Sequence, residues 1–121
     1  MSSLLLPLMV VGDDTGFCYL MQRYAQKADH PVVLVHFDED ALGIALHKTP
    51  AVVIVEQDVS GEKGMEILNT FKAHPKTCNI PVILCSWTEE AEYPLDEDEG
   101  LYLRKPILYN DFHAALAKAG I

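Results

Sequence analysis

PAVVIVEQDVSGEKG, residues 50–64, decides how the chain folds. Its apolar residues Ala51 through Val55 follow one another with no polar position between them, stop at the carboxylate of Glu56, and give way to a loop containing Gly61 and Gly64. A short run of that kind suits a strand covered on both faces, as in a parallel sheet between two layers of helices. Residues 4–11, 31–37, 81–85 and 101–103 have the same character, rich in Val, Ile and Leu and without period-two alternation. Three of these runs also stop at a reactive group: Asp13 and Asp14 follow the first, Ser86 follows the fourth in chain order, and Lys105 follows the fifth. In an open parallel sheet the ligand crevice lies beyond the carboxyl ends of the strands, where the strand order reverses, so these groups and Glu56 are expected to converge there. Carboxylates, a hydroxyl and a lysine in one place could handle a divalent metal and a phosphoryl group.

Helical patterns alternate with the strands. Phe17, Leu20, Met21, Tyr24, Ala25 and Ala28 form one apolar stripe, with Asp14 or Thr15 as N-cap. Asp38, Glu39 and Asp40 open a second helix at the end where the dipole favours acids, with Ala41, Leu42, Ala45 and Leu46 expected inside. A third helix is expected over residues 64–73, with Ile67, Leu68 and Phe71 inward and an end before Pro75. The last follows Pro106, capped near Asn110, with Phe112, Ala115, Leu116 and Ala119 on one face and Gly120 as its stop. Between Thr88 and Gly100, Pro94 and an acidic run leave space for a turn or so of helix, so a fourth helix in that interval is expected to be short or missing. Right-handed crossovers then give one three-layer α/β sandwich spanning residues 1–121.

Composition narrows the function. At 121 residues, half of them apolar, the chain fits one domain with helices on two faces of a sheet. No apolar stretch approaches the roughly 20 residues needed to cross a bilayer, and the opening residues have neither a basic segment nor a small-residue cleavage site, so a cytoplasmic location is expected. The formal net charge of −9 argues against a nucleic-acid surface, which needs clustered Lys and Arg. Seven of the 18 acids fall between Glu89 and Glu99, a solvated segment or a docking surface for a basic partner. Cys18, Cys78 and Cys85 share no short metal-ligand spacing and read as small buried hydrophobes, and the histidines at 30, 36, 47, 74 and 113 are scattered. A flavin or other phosphate-bearing cofactor is disfavoured, because Asp13 and Asp14 put two negative charges in the loop that would cradle the phosphate.

Taken together, these segments resemble the receiver domain of two-component response regulators over essentially the whole chain. MVVGDDT is similar to the family's first strand with its acidic pair, and PAVVIVEQDVSGEKG to the third strand, which ends at the phosphoaccepting Asp. IPVILCSW resembles the fourth strand with its terminal Ser or Thr, and LYLRKP the fifth with an aromatic residue and a Lys-Pro pair. The resemblance implies a flavodoxin-like sheet in the order 2-1-3-4-5. It places Glu56 at the phosphoacceptor position and makes Asp13, Glu56 and the backbone carbonyl of Asp58 the Mg²⁺ ligands. It gives Ser86 and Lys105 the phosphoryl oxygens, makes Tyr102 a rotamer switch, and implies a cis Lys105-Pro106 bond. Mg²⁺ itself asks only for one or two carboxylates and a carbonyl, because it retains several waters. Two carboxylates ~4 Å apart at an effective dielectric near 20 would repel by ~4 kcal/mol, so the cluster needs a cation, from Lys105 or a metal.

Four departures shape the functional expectation. Gly12 stands where the family usually has the first acid, which weakens metal binding, with Asp14, one place past Asp13, as a partial compensation. Glu56 carries one methylene more than Asp, and a displacement of about an ångström can cost ~100-fold in a positioned reaction. Trp87 stands where the family has a small residue, and the shortened fourth helix alters the surface shown to partners. A stand-alone, atypical receiver module is therefore expected, not an enzyme, acting by protein contact with a histidine kinase, phosphotransfer or output protein. Glu56 would be a fixed negative charge paired with Lys105. The contacts would fall on Tyr102, Arg104 and residues 108–112, a face through which weak homodimers can also form. The alternative is an active receiver that autophosphorylates on a carboxylate with Mg²⁺.

Overall fold

The computed structural model describes residues 6–57, 62–87 and 100–121. Along them run β1 (Leu8–Val11), α1 (Thr15–Lys27), β2 (Val32–Val35), α2 (Ala41–Lys48), β3 (Val52–Glu56), α3 (Glu62–Ala73), β4 (Val82–Ser86), β5 (Leu101–Arg104) and α4 (Tyr109–Lys118). The strands form one five-stranded sheet in the order β2-β1-β3-β4-β5. All four pairings are parallel, with Val11 opposite Val55 and Glu56 opposite Cys85.

Alternation along the strands divides the interior into two cores. Leu8 and Val10 of β1, Val52 and Ile54 of β3, and Ile83 and Cys85 of β4 pack with Phe17, Met21 and Ala25 of α1 and with Phe112, Ala115 and Leu116 of α4. Met9, Val11, Val53, Val55, Val82 and Leu84 face the opposite way, onto Ala41 and Ala45 of α2 and Leu68 and Phe71 of α3. Every residue of β1, β3 and β4 is buried, which is why these runs show no polar alternation. The two edge strands differ from that expectation: β2 and β5 are only partly covered, and Leu34 is 43% exposed.

Asp14 is the N-cap of α1, accepting from the Gly16 amide at 2.9 Å. Asp40 caps α2 through the Gly43 amide at 3.0 Å, so Asp38 and Glu39 precede the helix, and Glu39 accepts from the His36 amide instead. Several expectations are corrected. Leu46 is exposed, because α2 spans only eight residues and its buried stripe is Ala41 and Ala45. Ile67 is half-buried beside the fully covered Leu68 and Phe71. The last helix has Leu108, not Asn110, at its N-cap and no side-chain capping bond there. α3 begins at Glu62, two residues earlier than the periodicity gave. The expected short fourth helix and the acidic run of residues 89–99 lie outside the described residues.

α2 ends at Thr49, whose φ of 48° places a β-branched residue in the left-handed region. That conformation costs an L-residue about 1–2 kcal/mol, partly offset in glycine by its greater unfolded-state freedom. Replacing Thr49 with Gly is expected to raise the unfolding free energy by about 0.5–1 kcal/mol, measured by urea denaturation.

Candidate functional site

The strand order reverses between β1 and β3, and beyond their carboxyl ends lies an ion pair. Lys105 Nζ donates to Glu56 Oε2 at 2.7 Å, and the two side chains expose 10% and 9% of their surface. Position explains the meeting. Residue 56 continues the series 52, 54 on β3, and residue 105, just past β5, continues the series 101, 103 of that strand, all toward the α1–α4 face. The first turn of α1 closes the site from above: the Asp14 amide donates to Glu56 Oε1 at 3.2 Å, and Lys105 Nζ sits 4.8 Å from the centre of the Phe17 ring. Both oxygens of Glu56 are therefore occupied by donors. Lys105 is itself anchored through its amide, which donates to the Ser86 carbonyl at 2.7 Å, and the Lys105-Pro106 bond is cis. Just beyond, the Tyr24 hydroxyl donates to the Ile107 carbonyl at 2.8 Å, tying this segment to α1.

Asp13 Oδ1 accepts from the Phe37 amide at 3.0 Å and lies 3.5 Å from His36 Nδ1, on the β2 side of β1, whereas Glu56 is on the β3 side. Ser86 is buried at the end of β4, and Tyr102 is half-buried against the α2–α3 core. Trp87 is 67% exposed, with its ring centre 5.9 Å from Lys105 Nζ. Asp58 lies outside the described residues. Among the described residues no group of three His, Cys, Asp or Glu side chains is placed to hold a metal. Glu56 Oε2 is engaged by Lys105 and Asp13 Oδ1 by the Phe37 amide.

Two features of the site were not read from the sequence. Gly12 is buried directly beside Glu56, and Gln57 turns to the other face, onto Gly64 of α3, where a Cβ would collide with its amide oxygen. The signal for the first was a glycine in register with the end of the third strand. Cys18 also belongs to the surroundings. Its thiol donates to the Gly12 carbonyl at 3.5 Å, and its pKa is pushed up by burial and then by the charges of Glu56, Asp14 and Asp13.

No protein-family model matches the sequence, and no curated protein matches it. Solved structures do match its architecture, a doubly wound sandwich with sheet order 2-1-3-4-5. The chemotaxis protein CheY4 of Vibrio cholerae superposes with a TM-score of 0.80 at 17% identity, covering 95% of this chain and 98% of that one. A response regulator receiver domain protein from Clostridium thermocellum gives 0.78 at 23% identity, with coverages of 95% and 94%. The bacteriophytochrome response regulator RtBRR gives 0.76 at 22% identity, with coverages of 98% and 80%. The chain has the receiver fold. Among the described residues no helix is long and apolar enough to cross a membrane.

Removing one partner of a buried pair strands the other charge, at about 3–5 kcal/mol, whereas an apolar pair of similar volume can be neutral. Lys105→Met is expected to cost about that much in urea denaturation, and adding Glu56→Met should restore most of it. Glu56→Gln removes a charge that raises the Cys18 pKa, so more thiolate forms at a given pH. Alkylation of Cys18 by iodoacetamide near neutral pH should then be faster in Glu56→Gln than in the parent chain, followed by peptide mass spectrometry.

Proposed function

We propose that the chain is a cytoplasmic receiver module of two-component signalling that works by protein–protein contact and does not accept a phosphoryl group. The observation that carries this reading is the 2.7 Å bond between Lys105 Nζ and Glu56 Oε2. An acceptor carboxylate must offer a free oxygen to an incoming phosphorus, and charge must be neutralised as it arrives. Here one oxygen of Glu56 is held by the lysine and the other by the Asp14 amide. The side chain is almost wholly buried, which limits in-line approach. The lysine that would meet a phosphoryl oxygen is already neutralised within the chain. Mg²⁺ binding is weak on this reading, because Asp13 is engaged by the Phe37 amide and position 12 carries no acid.

Glu56 then acts as a permanent negative charge on Lys105, in the place where an active receiver gains charge on phosphorylation. The partner is a kinase, phosphotransfer or output protein, met through β5 and the start of α4. That face presents Arg104 and Leu108 to solvent, with Leu108 63% exposed, and it also allows weak self-association.

Incubation with acetyl phosphate and millimolar Mg²⁺, followed by intact mass, should give no phosphoryl adduct. Trp87 fluorescence should not respond to the metal alone. A hydroxylamine-labile gain of one phosphoryl group would instead establish the active receiver, phosphorylated on Asp13, Glu56 or Asp58.

A further inference from the structure

Gly12 follows β1 on the same face as Glu56, and both are buried. A Cβ built on Gly12 would lie 2.8 Å from Glu56 Oε1, 2.9 Å from Glu56 Cβ and 3.5 Å from Glu56 Cδ. The three nearest atoms all belong to one side chain. Neither partner can retreat cheaply. The Gly12 amide donates to the Val35 carbonyl at 2.9 Å, and its own carbonyl accepts from Cys18 Sγ. Glu56 Cβ is fixed by the register that sets Val11 opposite Val55. The φ of Gly12 is not in the left-handed region, so backbone conformation does not require glycine there.

We propose that Gly12 is the positioning residue for Glu56: with no side chain at 12, the longer acid lies across that position and reaches Lys105. This inference rests on the ion-pair reading of residue 56 and deepens it. Position 12 can bear a side chain, or Glu56 can hold its present course to the lysine, but not both. A carboxylate restored at 12 alone would displace Glu56 without rebuilding a two-carboxylate site.

The test uses the whole chain and two readouts, the urea midpoint and acetylation of individual lysines by N-hydroxysuccinimidyl acetate under native conditions. In the parent chain Lys105 should acetylate far more slowly than the exposed Lys48 and Lys76. Gly12→Ala should lower the urea midpoint and speed Lys105 acetylation several-fold, while a core truncation remote from the site, Leu116→Ala, should leave Lys105 protected. In Glu56→Gly/Lys105→Met, where the three nearest atoms are gone and no charge is stranded, adding Gly12→Ala should leave the urea midpoint of that chain unchanged. This second comparison decides the matter even if Gly12→Ala alone does not fold. An equal loss in both backgrounds would mean that Gly12 serves the backbone, and would overturn the proposal. A Lys105 still protected in folded Gly12→Ala would overturn it too, leaving the ion-pair reading intact. If Lys105 of the parent chain acetylates as fast as Lys48, the ion-pair reading itself falls.

Discussion

A carboxylate and an ammonium cannot both be taken nearly out of water unless each satisfies the other. Desolvation costs several kcal/mol per ion, and mutual attraction repays it only when the geometry is good and the remaining lone pairs are met. The site satisfies these terms through elements far apart in sequence. β3 delivers the acid and the segment after β5 delivers the base. The N-terminus of α1, where amides point outward, supplies the donor for the second carboxylate oxygen. The Phe17 ring face near Lys105 adds a weak attraction for the cation. Farther out, the contact of Tyr24 with the Ile107 carbonyl and the packing of Tyr24 on Tyr109 and Phe112 hold α1 and α4 together over the pair.

The two-residue period of a strand determines which groups can take part. Position 12 continues 8 and 10, position 56 continues 52 and 54, and position 105 continues 101 and 103, so glycine, glutamate and lysine share the α1–α4 side. Residues one place removed serve the other side. Gln57 packs on α3, and Tyr102 packs with the α2–α3 core. Asp13 likewise continues 9 and 11 and finds its partner in the loop after β2. A one-residue shift of any of these strands would replace the ion pair with a different set of neighbours, so the register and the site are one constraint.

This explains what the sequence disclosed. Strands buried on both faces leave uninterrupted apolar runs, and the stop of each run at a charged or hydroxyl group is visible without coordinates; Glu56 and Lys105 were found that way. The helices whose apolar stripes are wide, α1 and α3, were legible for the same reason. Where local chemistry competes with tertiary packing, the pattern was silent. Asn110 has the side chain of a good cap, yet the chain after Pro106 enters α4 through Leu108. Leu46 has the spacing of a core residue, yet α2 buries only its alanines. The destination of Asp13 depends on the Phe37 amide, a backbone group that no side-chain motif announces. The role of Gly12 depends on an absent atom, and shows only when the strand beside it is in place.

On the proposed reading, these details replace a switch with a fixed state. A ligand or a modification shifts a conformational equilibrium only by its differential interaction with the two states. When the counter-charge of Lys105 arrives from outside, as a phosphoryl group, the paired state is populated in proportion to the signal. When it is supplied by Glu56 within the chain, formation of the pair is part of folding and independent of concentration. The face around β5 and α4 then stands in one arrangement whatever the upstream kinase does. Control must therefore enter elsewhere, through the abundance of the chain or of its partner, which suits a module whose task is to occupy a binding site rather than to report a phosphorylation event.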